Sequence, residues 1–211
     1  MKEPTSIIYP YIAASGVTML KQRGFDVKFM DCPTENKNFG HVLQEVKDSD
    51  VVVLEARTPI MNYIWKCCER IKDFNPNVKT ILYGDHVTAF PIESVEKESV
   101  DFIAAGGDYD LSVLHVCDAL SHGTMIWHRV QHELLYRNLD ELPFVDRELV
   151  NWKNYYEAWR HRDKFFWTMS GRGCTYNCTF CAWVKCLWNN TIRLRSPNNV
   201  ARARKCCAFE W

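Results

Sequence analysis

The sequence lacks an excess of charge of either sign, because lysine and arginine number 26 together and so do aspartate and glutamate. Without net charge there is no long-range field to attract nucleic acid or an anionic membrane. We therefore expect neither of these among the partners of the protein. A solvated face is the expected role of the arginines near the end of the chain, Arg193, Arg195, Arg202 and Arg204.

Long apolar runs are also missing. No window approaches the roughly eighteen consecutive apolar residues that a membrane-spanning helix needs. The beginning of the chain, MKEPTSIIYP, has no basic stretch followed by a long apolar run, so a signal peptide is not expected. Together these absences predict a cytoplasmic protein.

Cysteine, by contrast, is abundant and unevenly placed. A secreted disulfide framework is not expected for a chain of this length and core content without a signal peptide. Four of the ten cysteines are scattered through the first half, where a free cysteine behaves as a small apolar residue. The other six fall in the last 38 residues, at Cys174, Cys178, Cys181, Cys186, Cys206 and Cys207. This concentration predicts reduced thiols that bind a metal.

Short β-branched runs alternate with helical patterns over the first 123 residues. The helical pattern is clearest in MNYIWKCCERIKDF, where Met61, Ile64, Trp65, Cys68 and Ile71 share one face. The predicted strands are SIIYP (6–10), DVKFMD (26–31), DVVVLEA (50–56), KTILYGD (79–85) and VDFIAAG (100–106). This alternation predicts an α/β fold, a doubly wound, five-stranded parallel sheet of the flavodoxin-like kind.

Ligands of such sheets bind outside the carboxyl ends of the strands. Neither G-x-G-x-x-G nor G-x-x-x-x-G-K-[ST] occurs there, which excludes the usual dinucleotide and nucleotide sites. Two of the residues at these strand ends could have structural roles and bind no ligand. His86 could be a loop histidine that bonds to backbone, and Thr58 could cap a helix.

The loops after the fourth and fifth predicted strands resemble those of the cobalamin-binding domain at the N-terminus of many radical S-adenosylmethionine (radical SAM) enzymes. That family has Gly-Gly-x-His-x-(Ser/Thr) after strand four and Gly-Glu-(Gly/Ala)-Glu after strand five. This chain has GDHVT (84–88), which departs at the second glycine, and GGDYD (106–110), in which both glutamates are altered.

The resemblance implies that cobalamin lies on the carboxyl ends of the strands, where glycines allow close backbone approach to a flat ring. Because the D-x-H-x-x-G motif of another cobalamin class is absent, no protein imidazole is expected beneath the cobalt. The implied contacts are Tyr9, Arg57, Thr58, Gly84, Asp85, His86, Val87, Thr88, Gly106, Gly107 and Asp108.

The stretch SGRGCTYNCTFCAW (170–183) carries a C-x3-C-x2-C triplet, Cys174, Cys178 and Cys181, after a predicted strand KFFWTMS (164–170). Structural zinc and closed [4Fe–4S] sites each use four ligands, whereas three thiolates leave one iron open. Two alternatives remain: Cys186 as a fourth ligand of a zinc or closed-cluster site, or inert buried cysteines. Cys206 and Cys207 are expected to be incidental.

The triplet, with the aromatic Phe180 before its last cysteine, matches the cluster motif of radical SAM enzymes. That resemblance implies a [4Fe–4S] cluster on the three cysteines, with S-adenosylmethionine on the open iron and Phe180 beside the cofactor. It also implies reductive cleavage of S-adenosylmethionine, methyl transfer to an unactivated centre of a small-molecule or peptide substrate, and an electron donor such as flavodoxin or ferredoxin. The substrate itself is not indicated.

The same resemblance divides the chain into a cobalamin-binding domain (1–123), a connector (124–163) and the beginning of a radical SAM domain (164–211). A β/α barrel needs roughly 200 residues or more, so we expect the chain to be a fragment or truncated product that is inactive as an enzyme on its own. The alternative function is a non-catalytic corrinoid-binding module left by truncation.

Overall fold

The computed structural model describes residues 6–132, 138–158, 167–176, 178–182 and 192–206. The chain divides into two compact units, which are described separately. The first comprises 1–38, 137–172 and 193–211, and the second comprises 39–136 and 173–192. Within the described ranges, no helix has the length and apolar content needed to cross a membrane.

A parallel four-stranded sheet forms the centre of the second unit. Its strands are β1 (Val51–Glu55), β2 (Lys79–Tyr83), β3 (Phe102–Ala105) and β4 (Val130–His132), and they lie side by side in chain order. In the register of neighbouring strands, Val53 lies opposite Ile81, Leu82 opposite Ile103 and Ala104 opposite Gln131. All four carboxyl ends therefore lie along one edge of the sheet.

Helices connect these strands as the sequence predicts. They are α2 (Phe39–Val46), α3 (Met61–Phe74), α4 (Asp85–Ala89), α5 (Pro91–Val95) and α6 (Tyr109–Ser121), with a 3-10 turn at Thr58–Ile60 before α3. The predicted apolar face of α3 is confirmed, because Met61, Ile64 and Cys68 are buried in one cluster with Leu82 and Ile103. Apolar burial of this kind contributes roughly 1.5–3 kcal/mol for each fully buried aliphatic side chain.

The opposite face of the sheet carries the start of α6. Side chains alternate along a strand, so Tyr83 points away from the face on which Leu82 lies. The Tyr83 ring contacts the ring of Tyr109, the first residue of α6, with centroids 5.9 Å apart. The first residue of α6 therefore contacts the face opposite that of Leu82.

The number of strands differs from the prediction. Residues 26–31 are not a strand, and residues 6–10 make only an isolated antiparallel bridge from Ile7 to Tyr156. Backbone hydrogen bonds of 2.8 and 3.1 Å join that pair, so the polar groups of Ile7 are satisfied outside any sheet. Conversely, β4 lies in the region assigned to the connector and is the fourth strand of the sheet.

Local packing organises the first unit, which contains α1 (Tyr11–Gln22) and α7 (Pro197–Cys206). Three 3-10 turns, at Leu139–Glu141, Arg147–Val150 and Trp152–Asn154, lie in the predicted connector. Its aromatic cluster includes Tyr9, stacked on Trp167 with centroids 5.0 Å apart and edge-on to Tyr155 at 5.3 Å. Close aromatic packing of this kind stabilises the first unit.

One arginine expected on a solvated face is instead buried. Arg195 is 8% exposed, and its guanidinium donates to the carbonyls of Leu142 at 3.0 Å and Pro143 at 3.2 Å. The adjacent Ser196 amide donates to the Asp140 carboxylate at 2.9 Å. The segment before α7 is thereby fastened to the 139–143 stretch, which explains the burial of a charged side chain.

In the sequence, the cysteine triplet lies between the two strands of a small sheet, β5 (Gly171–Gly173) and β6 (Ile192–Leu194). The described part of the strand predicted at 164–170, from Trp167 onward, is not a strand, and the rest of that prediction lies outside the described residues. A Cβ at Gly171 would lie 2.7 Å from a methyl group of Leu194 and 3.2 Å from the Arg193 carbonyl oxygen, so the exposed Leu194 side chain would have to shift to admit a larger residue.

Candidate functional site

Loops at the carboxyl ends of β1, β2 and β3 contact one another in the second unit. Gly84, directly after β2, has φ +128° and ψ −177°, a conformation that is essentially restricted to glycine. A Cβ at Gly84 would lie 2.7 Å from the Ala56 carbonyl oxygen. That carbonyl also accepts the His86 amide at 3.2 Å, so the two loops are in direct backbone contact. The glycine of GDHVT is therefore needed for this close approach.

His86 lies between two polar side chains. Its Nδ1 is 3.1 Å from the Thr58 hydroxyl, and its Nε2 pairs with the carboxylate of Glu93. The imidazole is 8% exposed and contacts the rings of Trp65 and Phe90. The prediction that His86 is a loop histidine whose side chain bonds to backbone is therefore wrong, because both ring nitrogens face side chains.

Two details of this pairing were not evident in the sequence. Glu93 comes from α5, and no local spacing relates it to His86 as a partner. Thr58 does not cap a helix, because it is the first residue of the 3-10 turn, Arg57 precedes it, and no side-chain capping bond forms. The exposed Thr58 hydroxyl is directed to the imidazole instead.

Thr88 and Tyr109 join the loop after β2 to the loop after β3. The buried Thr88 hydroxyl donates to the Gly84 carbonyl at 2.8 Å and accepts the Gly106 amide at 3.1 Å. The Tyr109 hydroxyl donates to the Asp85 carboxylate at 3.1 Å and lies 3.3 Å from the Thr88 hydroxyl. Buried side-chain bonds of this kind hold the loops in one arrangement.

Charged side chains surround the same edge. Arg57 is an exposed residue whose guanidinium bonds to Glu55 at 2.7–2.8 Å. Burial lowers the pKa of Arg57, but the bond to Glu55, aided by Tyr83 and Asp85, raises it on balance. The guanidinium is thus already paired with a carboxylate, and Asp85 is close enough to influence it.

The other second-unit residues that were predicted to contact the cofactor differ in how exposed they are. Val87 and Asp108 are 0% and 1% exposed, and Val87 packs in the core of the sheet. Gly106 has φ +93° and open space where a Cβ would be, apart from His132 at 3.9 Å. Gly107 is half-buried.

His132 was not predicted as a site residue, because its strand was not recognised in the sequence. It ends β4, and burial lowers the pKa of its imidazole. Its position at the carboxyl end of a strand would have been the only available signal.

Tyr9, predicted as a cofactor contact, belongs to the first unit. It is 4% exposed within the aromatic cluster, and burial raises its pKa to about 12. Its hydroxyl has no hydrogen-bond partner among the described residues. The structure thus assigns Tyr9 a packing role in that cluster, and a contact with a cofactor remains a prediction.

The cysteine triplet follows β5 directly. Cys174, Cys178 and Cys181 are free and partly exposed, and the Cys181 amide donates to the Cys178 carbonyl at 3.1 Å. Gly173, with φ +101°, opens the loop, and Phe180 is 90% exposed. In the described part of the chain, no three cysteine, histidine or acidic side chains are close enough together to hold a metal ion. Cys186 and Cys207 lie outside the described residues.

Two curated relatives match this chain at low identity. An uncharacterized methyltransferase of Pyrococcus horikoshii is 26% identical, over 82% of this chain and 40% of its own length. The anaerobic magnesium-protoporphyrin IX monomethyl ester cyclase of Rubrivivax gelatinosus is 25% identical, over 90% of this chain and 36% of its own length. The chain spans about two fifths of these relatives. No family model matches it.

Solved structures of TsrM, a radical S-adenosylmethionine methyltransferase from Kitasatospora setae, have a similar fold. One, with tryptophan substrate and a SAM analog bound, gives a TM-score of 0.66 at 15% identity, over 97% of this chain and 43% of that chain. Another, with cobalamin and a [4Fe–4S] cluster bound, gives 0.65 at 14% identity, over 98% and 43%. Nearly the whole of this chain therefore has a fold similar to that of about two fifths of TsrM.

Proposed function

We propose that this chain is the cobalamin-binding and cluster-binding part of a cobalamin-dependent radical SAM enzyme that transfers a methyl group. The observation that carries the proposal is the combination of glycine-lined loops at the carboxyl edge of a parallel sheet with a three-cysteine loop. The fold likeness to TsrM, solved with both cofactors bound, and the methyltransferase relative support it.

The carboxyl edge of the sheet fits a large flat ligand. Gly106 has positive φ and, among the described residues, only His132 within 4 Å of where a Cβ would be, whereas the space beside Gly84 is filled by the Ala56 backbone. Arg57, Thr58 and Asp85 are exposed at the same edge and can bond to polar groups around the rim of a corrin. Both ring nitrogens of His86 face side chains, Nδ1 the Thr58 hydroxyl and Nε2 the Glu93 carboxylate, which supports binding without a protein imidazole beneath the cobalt.

The cysteine loop has the donor set for an iron–sulfur cluster. Its three thiols are free and partly exposed, and thiolates are the ligands that such clusters use. Binding requires the loop to close and bring Cys174, Cys178 and Cys181 together, and Gly173 gives its backbone the freedom to do so. A [4Fe–4S] cluster with one open iron supplies the electron that cleaves S-adenosylmethionine reductively.

The activity of the whole enzyme extends beyond this chain, which spans 36–43% of the proteins it resembles. A small molecule or peptide is the proposed substrate class, and a flavodoxin or ferredoxin is the proposed electron donor. In this proposal, residues of the second unit bind and orient the cofactors and exclude water from them, and the cofactors carry out the chemical steps.

Anaerobic reconstitution of the chain with iron and sulfide tests the cluster assignment. We expect about four irons per chain and an electron paramagnetic resonance signal that changes when S-adenosylmethionine is added. Cys178→Ala should abolish the cluster because it removes one of three ligands. Cys32→Ser is the matched control, since Cys32 is a free cysteine outside the loop, and it should keep the iron.

Equal iron in Cys178→Ala and the unaltered chain would show that the ligand assignment is wrong. Uptake of cobalamin by a chain that holds no iron would instead support the second candidate, a non-catalytic corrinoid-binding module. In both cases, the hydrogen bonds among Gly84, Thr88 and Gly106 hold the loops at the carboxyl edge of the sheet in one arrangement.

A further inference from the structure

Three polar side chains from different elements follow one another at the carboxyl edge of the sheet. The Thr58 hydroxyl, after β1, lies 3.1 Å from His86 Nδ1, and His86 Nε2 faces the carboxylate of Glu93 on α5. The imidazole is 8% exposed, whereas Thr58 and Glu93 are exposed. A hydroxyl accessible to a ligand is thus connected, through a buried ring, to a carboxylate accessible to solvent.

The carboxylate determines which nitrogen of the imidazole carries the hydrogen. A carboxylate only accepts, so Glu93 would repel a bare lone pair on Nε2 and attracts an N–H group there. His86 Nε2 has no aligned hydrogen-bond partner among the described residues, and the Glu93 carboxylate is the charged group that faces it. The neutral ring therefore carries its hydrogen on Nε2 and leaves Nδ1 as an acceptor.

An acceptor at Nδ1 fixes the polarity of the Thr58 hydroxyl. The hydroxyl has one hydrogen and donates it to Nδ1, which leaves the lone pairs of its oxygen for a ligand. Thr58 opens a 3-10 turn in which Pro59 follows, and a proline restricts the backbone of the residue before it. A β-branched side chain is also restricted in its rotamers. The edge therefore presents an oriented acceptor at little further cost in side-chain entropy.

This acceptor is complementary to an N–H group. In the part of the chain that the structure describes, the Thr58 hydroxyl bonds to the imidazole, and the neighbouring Arg57 guanidinium bonds to Glu55 instead. A hydroxyl that has donated its hydrogen has none left for a carbonyl or ester oxygen. The ligand group that fits here is therefore a donor.

We propose that Thr58 accepts a hydrogen bond from an amide N–H at the rim of the bound corrinoid, and that His86 and Glu93 are the positioning residues that make it an acceptor. The inference rests on the proposed cobalamin-binding function and adds the chemical group of the ligand that this part of the edge binds. Ester groups at the same positions of the rim have no hydrogen to donate, so they make no such bond.

The state of the imidazole is measured first, without any ligand. Long-range proton–nitrogen NMR of the isotope-labelled whole chain at neutral pH distinguishes the two ring nitrogens. The His86 signals are identified among those of the seven histidines by their loss in His86→Gln. We expect a hydrogen on Nε2 and a bare Nδ1. A hydrogen on Nδ1, or on both nitrogens, would overturn the inference, because the ring would then donate to Thr58.

Equilibrium dialysis of the whole chain against two dicyano-corrinoids tests the bond to the ligand. Dicyanocobinamide carries amides around the ring, dicyanocobyrinic acid heptamethyl ester carries esters, and cyanide occupies both axial positions of cobalt. Thr58→Val keeps the size of the side chain but lacks the hydroxyl. It should bind dicyanocobinamide about fivefold more weakly, the effect of one lost hydrogen bond, and should bind the ester as tightly as the unaltered chain does. Thr58→Ser should restore the affinity for dicyanocobinamide.

The role of Glu93 is tested by combining variants. Glu93→Gln places an amide against Nε2, and because an amide donates as well as accepts, the position of the ring hydrogen is no longer fixed. Alone it should weaken the binding of dicyanocobinamide about threefold, but it should cause no further loss when combined with Thr58→Val. Glu96→Gln makes the same change of charge just after α5 and should leave binding unchanged. Thr58 and Glu93 are exposed, so their variants should fold, which circular dichroism verifies.

The outcomes separate the inference from the function on which it rests. An equal loss for both corrinoids in Thr58→Val, or no loss, would overturn the bond from the amide while the cobalamin function stands. Losses that add in the double variant would overturn the positioning role of Glu93. Binding of neither corrinoid by the unaltered chain would overturn the cobalamin function and, with it, the ligand group named for Thr58.

Discussion

Replacing Gly84 with alanine tests the contact on which the edge of the sheet depends. The glycine has φ +128° and ψ −177°, and the added Cβ would lie 2.7 Å from the Ala56 carbonyl oxygen and 3.2 Å from the Ala56 nitrogen. Those atoms are not free to move. The carbonyl accepts the His86 amide, and the Ala56 amide donates to the Tyr83 carbonyl at 2.7 Å.

The expected cost follows from two contributions. A residue other than glycine in this backbone region costs about 1–3 kcal/mol. Relief of the clash by displacement of Ala56 weakens at least one hydrogen bond, at roughly 1 kcal/mol. We expect Gly84→Ala to lower the free energy of unfolding of the second unit by about 3 kcal/mol.

Urea unfolding followed by circular dichroism measures this difference, with Gly123→Ala as the matched control. Gly123 also has positive φ, +63°, but nothing lies within 4 Å of the added Cβ. Its replacement should cost only about 1 kcal/mol of backbone strain. Both glycines belong to the second unit, so one transition reports on both. Equal midpoints for the two variants would refute the argument from close backbone approach.

Two further predictions concern charged side chains outside the site. Arg195→Ala should destabilise the first unit by about 2–3 kcal/mol, because the carbonyls of Leu142 and Pro143 lose a charged donor. Thermal unfolding measures this loss, with replacement of the exposed Arg202 by alanine as the control. An equal loss of stability in the two variants would contradict the prediction. Burial acts to raise the pKa of Asp101, but bonds from Lys72 and the Thr80 amide lower it on balance. Its stabilisation is therefore complete above the unfolded pKa of about 4 and is lost as the pH falls through the lower folded value. Asp101→Asn should be about 1–2 kcal/mol less stable at pH 7, and the difference should shrink towards pH 2.5 in urea unfolding; a gap that does not change with pH would refute the assignment.

The site combines residues with very different relations to the sequence. The cysteine triplet is a local motif, so its recognition required no knowledge of the fold. The glycine loops were recognisable because Gly84 and Gly106 follow strands whose composition is distinctive. Glu93 and Tyr109, in contrast, acquire their partners only through tertiary contacts, at His86 and Asp85.

Strand prediction failed where composition and pairing disagree. Residues 26–31 include the apolar side chains Val27, Phe29 and Met30, but the described backbone there pairs with no strand. The short segment Val130–His132 carries two polar residues and has no strand signal, yet it pairs with β3 over its full length. Strand formation depends on an available neighbour, which a single segment does not specify.

The sequence by itself determined the parallel α/β pattern of β1 to β3, the buried face of α3 and the close spacing of the three cysteines of the triplet. These features depend on periodicity or spacing within a few residues, so local physics is sufficient to predict them. Only the tertiary structure decided that His86 faces Thr58 and Glu93, that Tyr109 holds Asp85, and that Arg195 is buried. Each of these contacts joins residues from separate elements, and only packing of those elements brings the polar atoms within hydrogen-bonding distance.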